Sequence, residues 1–140
     1  MKGGNEMEKI RLGIVVSEYN YDITMMMLER AKSHAEFLGA DVVKEMKVPG
    51  VFEIPLAVKS MIDDVDAVVA LGCVIEGETD HDEIVMNNAA RKIQDIMVET
   101  GKPVALGISG HGQSRLQAEA RIEKAREAVE SAVKMAKRLK

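Results

Sequence analysis

His81 and five carboxylates share the segment Glu76–Glu83, EGETDHDE. Histidine changes charge near neutral pH and is the commonest carrier of protons in enzyme sites. Alternating carboxylates also occur in calcium loops, but this spacing matches no EF-hand, and acidic residues are common at helix starts. A proton-transfer role for His81 and an exposed histidine without a task therefore both stay open, while a metal site is disfavoured.

Three of the four aromatic residues follow predicted strands: Tyr19 and Tyr21 follow the first strand, and Phe52 follows the second. The fourth, Phe37, is predicted to lie in the core. A planar heteroaromatic ligand would use such rings for stacking. The alternative is that the rings cluster by chance and that Phe52 simply packs against its neighbours.

The stretch VPGVFEIP, Val48–Pro55, places Gly50 between two prolines and Glu53 in the first turn of a predicted helix. A glycine lets the backbone turn and approach a ligand closely. A carboxylate in a first helical turn is also favoured by the helix dipole without any ligand. The local pattern does not choose between a binding turn and a structural one.

Cys73 lies near the end of the third predicted strand and is the single cysteine of the chain. With His81 as its base it could act as a nucleophile, but no helix N-terminus or basic neighbour in sequence would activate the thiol. A small buried side chain is the favoured interpretation. A lone cysteine cannot form an internal disulfide, which agrees with a reducing cytoplasm.

The segment Gly107–Arg115, GISGHGQSR, follows a predicted strand and opens a helix. Backbone amides in that geometry can hold a phosphate. The segment is not a Walker loop and lacks a complete GxGxxG motif, so a flexible turn with His111 exposed is the alternative.

Apolar runs and helical periodicity alternate along the chain, which predicts an α/β three-layer sandwich: a four-stranded parallel sheet flanked by helices on both faces. Gly39 and Gly101 are expected to end helices, and Thr79 with Asp82 fits a capping box. The predicted strands are Leu12–Val16, Val42–Val48, Asp66–Ile75 and Val104–Ser109, and the predicted helices are Asp22–Leu38, Phe52–Ile62, Asp82–Thr100 and a C-terminal region in which Gln113–Glu123 is separate or kinked.

Ligands of such sheets bind beyond the carboxyl ends of the strands. The segments expected there are Ser17–Tyr21, Pro49–Phe52, Glu76–His81 and Gly110–Gly112.

The 140 residues fit one domain, which we expect to span 11–140 after a flexible tail of residues 1–10. The longest uncharged apolar stretch, Ala67–Ile75, is too short to cross a membrane, and the polar N-terminus predicts no signal peptide. These features predict a cytoplasmic protein without a membrane partner.

The net charge of −4 argues against nucleic acid as the main partner. Arg115–Lys140 has eight basic and four acidic residues, hence +4. This segment is either a solvated helix face or the source of an arginine that meets an anion.

Taken in order, the segments YN, VPGVFEIP, LGCVIEGETDHDEIV, NNAARKI and KPVALGIS and a downstream arginine resemble the lumazine synthase family over roughly Leu12–Leu139. The combination of VPGxFEIP and GxVIxGxTxH is specific to that family. The wording GETDHDEI is most similar to its archaeal branch.

The resemblance implies condensation of 5-amino-6-(D-ribitylamino)uracil with 3,4-dihydroxy-2-butanone 4-phosphate to 6,7-dimethyl-8-ribityllumazine. This is the penultimate step of riboflavin biosynthesis and needs no metal and no organic cofactor. The resemblance also implies a homopentamer with sites between subunits. In many members twelve pentamers form an icosahedral shell, and riboflavin synthase is a candidate partner.

The resemblance assigns the proton-transfer role to His81. It places the phosphate of the second substrate near Gly77, Glu78, Thr79 and Arg121, with Arg115 as the competing arginine. Leu106 and Arg121 would serve a neighbouring subunit's site. The residues that would contact ribitylaminouracil are Tyr19, Asn20, Val51, Phe52, Glu53, Cys73, Val74, Ile75 and Leu106.

Two positions depart from the family pattern. Glu78 stands where many relatives have a small residue, and a carboxylate beside a phosphate is unfavourable unless it turns away. Tyr19 replaces the commoner phenylalanine, which preserves stacking. The alternatives to this family are an archaeal-type riboflavin synthase and a non-catalytic flavin-binding module.

Overall fold

The computed structural model of the chain describes residues 9–78 and 81–140. Within these ranges there are four strands and five α-helices, the last two helices following the fourth strand, and single 3-10 turns at Val51–Glu53 and Ile62–Asp64 flank the second helix. In chain order the elements are β1 (Arg11–Ser17), α1 (Tyr21–Phe37), β2 (Asp41–Val48), α2 (Ile54–Met61), β3 (Ala67–Ile75), α3 (Asp82–Thr100), β4 (Val104–Gln113), α4 (Arg115–Ala120) and α5 (Lys124–Leu139).

The strands form one parallel sheet in the order β2-β1-β3-β4, which confirms the predicted α/β class. Apolar side chains fill both faces of the sheet. One cluster includes Leu12 and Ile14 of β1 with Met27 of α1 and Val129 of α5. The other includes Val15 of β1 with residues of α2 and α3. The helices thus cover the sheet on both faces, as predicted.

The predicted and observed ends of α3 coincide, and Gly101 follows the helix with φ 71°, in the left-handed conformation that glycine adopts without strain. His81 is the residue that precedes the first helical turn. The predicted capping box involves Thr79, which lies outside the described residues. Helices α4 and α5 are separate, and the Ser114 hydroxyl accepts a hydrogen bond from the Gln117 amide at the start of α4.

Strand β4 continues four residues beyond its predicted end at Ser109. Its register against β3 shifts, since Cys73 lies opposite Ser109 while Ile75 lies opposite Gln113. The glycine-rich segment Gly110–Gly112, predicted to be a ligand loop, is therefore the irregular end of a strand. A side chain at Gly110 would lie 2.1 Å from the Val74 carbonyl oxygen, so the close approach of the two strands requires glycine there.

The prediction that Phe37 lies in the core is wrong, because its side chain is 81% exposed. Ala31 and Ala35 occupy the buried face of α1, and Phe37 follows Ala35 by two residues, which points it to the opposite side. The ring stacks on His34 with centroids 5.6 Å apart. His34 also links α1 to α5, since its Nε2 lies 2.7 Å from a carboxylate oxygen of Glu130.

None of the helices in the described part of the chain is long and apolar enough to cross a membrane.

Gly107 is where β4 packs most closely on its neighbours. An added Cβ would lie 2.8 Å from Leu71 Cδ2 and 3.0 Å from both the Ala128 Cβ and the Ala70 carbonyl oxygen. Because Ala128 and the Ala70 backbone cannot rotate away, we predict that Gly107→Ala lowers the free energy of unfolding by about 1–3 kcal/mol. Thermal denaturation followed by circular dichroism measures the effect.

Gly13→Ala is the matched control. Its Cβ would lie 2.4 Å from Met61 Sδ, near the end of a flexible side chain that can change rotamer. We expect a smaller loss of stability than in Gly107→Ala, and an equal or larger loss would contradict this account of the packing.

Candidate active site at the carboxyl ends of the strands

A cavity of about 190 Å³ opens where β1, β2 and β3 end, beside the first turn of α3. Three of the four segments predicted at this edge meet there, whereas Gly110–Gly112 is not part of the lining. The lining residues are Tyr19, Gly50, Val51, Phe52, Cys73, Val74, Ile75, Glu78, Asp82 and Val85. Most of them are apolar, so a ligand would lie on an apolar floor with polar groups at its edge.

Two exposed aromatic rings stand on the rim of this cavity. The side chain of Tyr19 is 54% exposed and that of Phe52 is 68% exposed. Exposed rings beside an apolar cavity can cover a flat ligand. Tyr21 does not line the cavity, and its ring lies 5.9 Å from Lys47 Nζ.

Asn20 connects the end of β1 to the end of β3. Its Nδ2 donates hydrogen bonds to the Cys73 carbonyl oxygen at 3.2 Å and to Glu78 Oε1 at 2.9 Å. The backbone at Asn20 has φ 63°, a left-handed conformation that asparagine tolerates better than most residues. The Glu78 carboxylate is thereby oriented toward Asn20.

Gly50 and Glu53 form a small turn next to the cavity. The Gly50 amide donates to Glu53 Oε1 at 2.9 Å, so this carboxylate closes its own turn. Gly50 has extended backbone that any residue could adopt, and its contribution is the close approach of the backbone to the cavity. Glu53 is half-buried and is not part of the lining.

His81 is exposed at the start of α3, and its carbonyl oxygen accepts the Val85 amide at 2.8 Å. The residues around it, Glu78 and Asp82, line the cavity. Gly77 adopts a positive φ of 87° in the preceding turn. Thr79 lies outside the described residues. His81 therefore stands next to the negatively charged side of the cavity.

The Cys73 side chain is buried, which confirms the prediction of a small buried residue. Burial raises the pKa of the thiol, and the hydrogen bond with Ser109 only partly opposes that effect. A thiol held in its neutral form is a poor nucleophile. Cys73 therefore serves as part of the cavity floor.

The two candidate phosphate-binding residues, Arg115 and Arg121, have different interaction partners. The Arg115 guanidinium contacts two carboxylates, those of Asp22 and Glu119. Arg121 Nη1 donates to the neutral Oε1 of Gln113 at 3.0 Å, and no carboxylate of the described residues forms an ion pair with it. Neither arginine lines the cavity of its own chain.

Leu106 also lies away from this cavity. It is partly exposed on β4, in a shallow groove beside Arg91 and Met97 of α3. Most of the residues assigned to ribitylaminouracil therefore line the cavity of a single chain. Asn20 and Glu53 lie beside the lining, and Leu106 lies away from it.

Sequence reasoning missed three residues of this region. Asp82 and Val85 line the cavity from the first turn of α3, and their spacing of three along the predicted helix Asp82–Thr100 could have indicated it. Gln113 is fully buried, and nothing in the local pattern marked it. In the described ranges, 9–78 and 81–140, no three histidine, cysteine or carboxylate side chains form a group suited to a metal ion.

Comparison with known proteins gives a consistent result. The family model described as 6,7-dimethyl-8-ribityllumazine synthase matches residues 9–140. A protein of that name from Picrophilus torridus is 64% identical over 133 residues, covering 94% of this chain and 98% of the relative. Those from Archaeoglobus fulgidus and Methanocaldococcus jannaschii are each 61% identical, covering 96% and 94% of this chain and 95% and 94% of the relatives.

The buried thiol of Cys73 gives a direct test of the cavity floor. Because its pKa is raised, less thiolate is present at a given pH than for an exposed cysteine, and access is restricted as well. We predict that the native protein reacts with iodoacetamide at least about tenfold more slowly than the protein in guanidinium chloride at the same pH. Mass spectrometry of timed samples measures both rates. Equal rates would contradict the burial of this side chain.

Proposed function

Because the chain belongs to the 6,7-dimethyl-8-ribityllumazine synthase family, we propose that the cavity at the ends of β1, β2 and β3 is where it makes its product. The chain is a transferase of riboflavin biosynthesis. It condenses 5-amino-6-(D-ribitylamino)uracil with 3,4-dihydroxy-2-butanone 4-phosphate to 6,7-dimethyl-8-ribityllumazine. The shared name of near-full-length relatives disfavours both the riboflavin synthase and the flavin-binding alternative.

The proposed location of the active site is based on an apolar cavity with two aromatic rings on its rim. The pyrimidine ring of the first substrate is flat, and we place it against Tyr19. We assign the polar edges of the uracil and the ribityl hydroxyls to the backbone at Val51 and Phe52, the amide of Asn20 and the carboxylate of Glu53, which lie in or beside the cavity. Cys73, Val74 and Ile75 form the floor beneath them.

The phosphate of the second substrate belongs at the turn before α3. The amides at a helix start attract anions, and Gly77 gives the backbone the freedom to present them. Thr79 completes this segment in sequence. The carboxylate of Glu78 would repel a phosphate, so its hydrogen bond from Asn20 favours a contribution from the Glu78 backbone alone.

A second subunit is needed to complete the site. The cavity of one chain, about 190 Å³, is smaller than the roughly 300–1,000 Å³ of ordinary ligand pockets. Leu106 and Arg121 lie outside that cavity, which fits a role in the site of a neighbouring copy. The proposed assembly is a homopentamer in the cytoplasm, with twelve pentamers in an icosahedral shell as the larger form. Riboflavin synthase, which consumes the product, is the proposed partner.

Arg121 is preferred to Arg115 as the phosphate ligand. The charge of Arg115 is compensated by Asp22 and Glu119, so binding a phosphate there would compete with two ion pairs. Arg121 is held by a neutral amide and keeps its positive charge for an anion.

The reaction mainly requires that the two substrates are positioned together and that protons are transferred. The amine of the uracil attacks the ketone, water leaves as the imine forms, phosphate is eliminated, and ring closure releases a second water. The amine is already a nucleophile, so holding both reactants together supplies much of the acceleration. His81 accepts and returns the protons that move in these steps. No electrons are exchanged with another molecule.

We predict that His81→Ala slows lumazine formation by roughly 100-fold, the lower end of the usual contribution of a proton-transfer group, because positioning is retained. Purified wild-type and variant proteins are mixed with both substrates, and the fluorescence of the lumazine is followed. The variant should elute from gel filtration with the wild-type mass. Wild-type protein that forms no product above the uncatalysed rate would overturn the activity, and a full-rate variant would remove His81 from the mechanism.

Arg121→Ala should raise the KM for the phosphate substrate about tenfold or more, the effect expected when a charge-assisted hydrogen bond is lost. The KM for ribitylaminouracil should stay near the wild-type value. Arg115→Ala is the matched control and should leave both constants unchanged. If Arg115→Ala and not Arg121→Ala raised the KM for the phosphate substrate, the assignment of the two arginines would be reversed.

A further inference from the structure

Gln113, at the end of β4, is a large polar side chain with no exposed surface. Its main chain is part of the sheet, since its carbonyl oxygen accepts the Glu76 amide at 2.8 Å. Burying an amide costs free energy unless its donors and acceptor find partners. The positions of the hydrogen-bond partners of Gln113 therefore indicate its role.

The two ends of the Gln113 carboxamide face different parts of the site. Nε2 donates to Ser109 Oγ at 2.9 Å and to the Val74 carbonyl oxygen at 3.2 Å, and it lies 3.7 Å from Cys73 Sγ. Oε1 accepts from Arg121 Nη1 at 3.0 Å. The carboxamide of Gln113 thus lies between the floor of the cavity and Arg121, the residue proposed to bind the phosphate.

The orientation of this amide follows from its partners. A carbonyl oxygen can only accept and a guanidinium can only donate. Turning the amide over would place its NH₂ group against Arg121 and its oxygen against the oxygen of Val74. The contact with Arg121 is therefore fixed by the buried end of the same side chain.

Arg121 is bound by a neutral acceptor, the amide oxygen of Gln113, and its charge is therefore affected differently than it would be by a carboxylate. An ion pair orients an arginine but also compensates its charge, as Asp22 and Glu119 do for Arg115. An amide oxygen orients the guanidinium while its full charge remains for an anion.

We propose that Gln113 is a positioning residue that holds the guanidinium of Arg121 in place for the phosphate of the substrate. This inference rests on the proposed role of Arg121. It assigns to a buried residue, outside the cavity lining, a part in the affinity for one of the two substrates.

Gln113→Met tests the proposal, because methionine has a similar volume and no strong hydrogen-bonding group. The KM for 3,4-dihydroxy-2-butanone 4-phosphate should rise about tenfold, as expected for the loss of a hydrogen bond to a charged group. The KM for ribitylaminouracil should change little. In the double variant with Arg121→Ala, the KM should be close to that of Arg121→Ala alone, since both changes remove the same interaction.

Ser109→Ala is the control for simple loosening of the buried network. It removes one partner of Nε2, while the Val74 carbonyl oxygen still orients the amide and the contact of Oε1 with Arg121 remains. We expect a lower melting temperature and an unchanged KM for the phosphate substrate. If Ser109→Ala raises that KM as much as Gln113→Met does, the effect is general loosening and the proposal fails.

Gln113→Glu covers the case in which the methionine variant does not fold. It keeps the length and the Oε1 acceptor of glutamine, replaces the Nε2 donor to Ser109 and Val74 by a second carboxylate oxygen, and places a negative charge beside Arg121. The competitive inhibition constant of inorganic phosphate, compared between this variant and the wild type, should rise several-fold, because the carboxylate compensates the guanidinium charge. An inhibition constant equal to that of the wild type would overturn the proposal.

Failure of this inference and failure of the arginine assignment give different results. If Arg121→Ala raises the KM for the phosphate substrate and a folded Gln113→Met does not, Arg121 keeps its role and Gln113 loses its own. If Arg121→Ala leaves that KM unchanged, the arginine assignment fails and the inference fails with it.

Discussion

Strand β3 is buried at all nine of its residues, from Ala67 to Ile75, so helices must cover both of its faces. A strand in that environment has partners on both sides, here β1 and β4 in parallel. Parallel strands need crossovers, and helices supply them. Because all strands run the same way, the segments that leave them collect at one edge. The location of the cavity is therefore a consequence of burying β3.

Charge is distributed unevenly at that edge. Glu78 and Asp82 line the cavity of the chain, while Arg121 lies outside it and is held by the amide of Gln113. A negatively charged substrate cannot be held by the acidic rim alone. Because Arg121 is separated from Glu78 and Asp82, their opposite charges do not compensate each other within one chain. In the proposed assembly, the cation meets the phosphate only when a neighbouring copy is in place.

Local sequence patterns predicted the fold well and the site in part. The ends of α3, the left-handed glycine after it and the burial of β3 follow from periodicity and from the backbone preferences of glycine. Phe37 was misplaced because a large aromatic residue suggested core, although its position on α1 faces away from the sheet. The end of β4 was placed too early because glycines suggested a loop.

The rest could not be predicted because it depends on pairs of residues that are far apart in the chain. Asn20 meets Glu78, and Gln113 meets Val74, across 58 and 39 positions. No periodicity within either segment encodes such a contact. The resemblance to a family supplied the roles proposed for His81 and Arg121, but it gave no indication of Gln113.

The apolar floor of the cavity has a consequence for the two dehydration steps of the proposed mechanism. Imine formation and ring closure both release water, and in dilute solution the large excess of solvent opposes them. In the proposed site, substrates bound on Cys73, Val74 and Ile75 displace the water that would otherwise lie there. Fewer water molecules then lie beside the reacting atoms than in bulk solution. In the proposed site, the same side chains that pack the end of β3 thus favour dehydration of the bound intermediates over their hydrolysis.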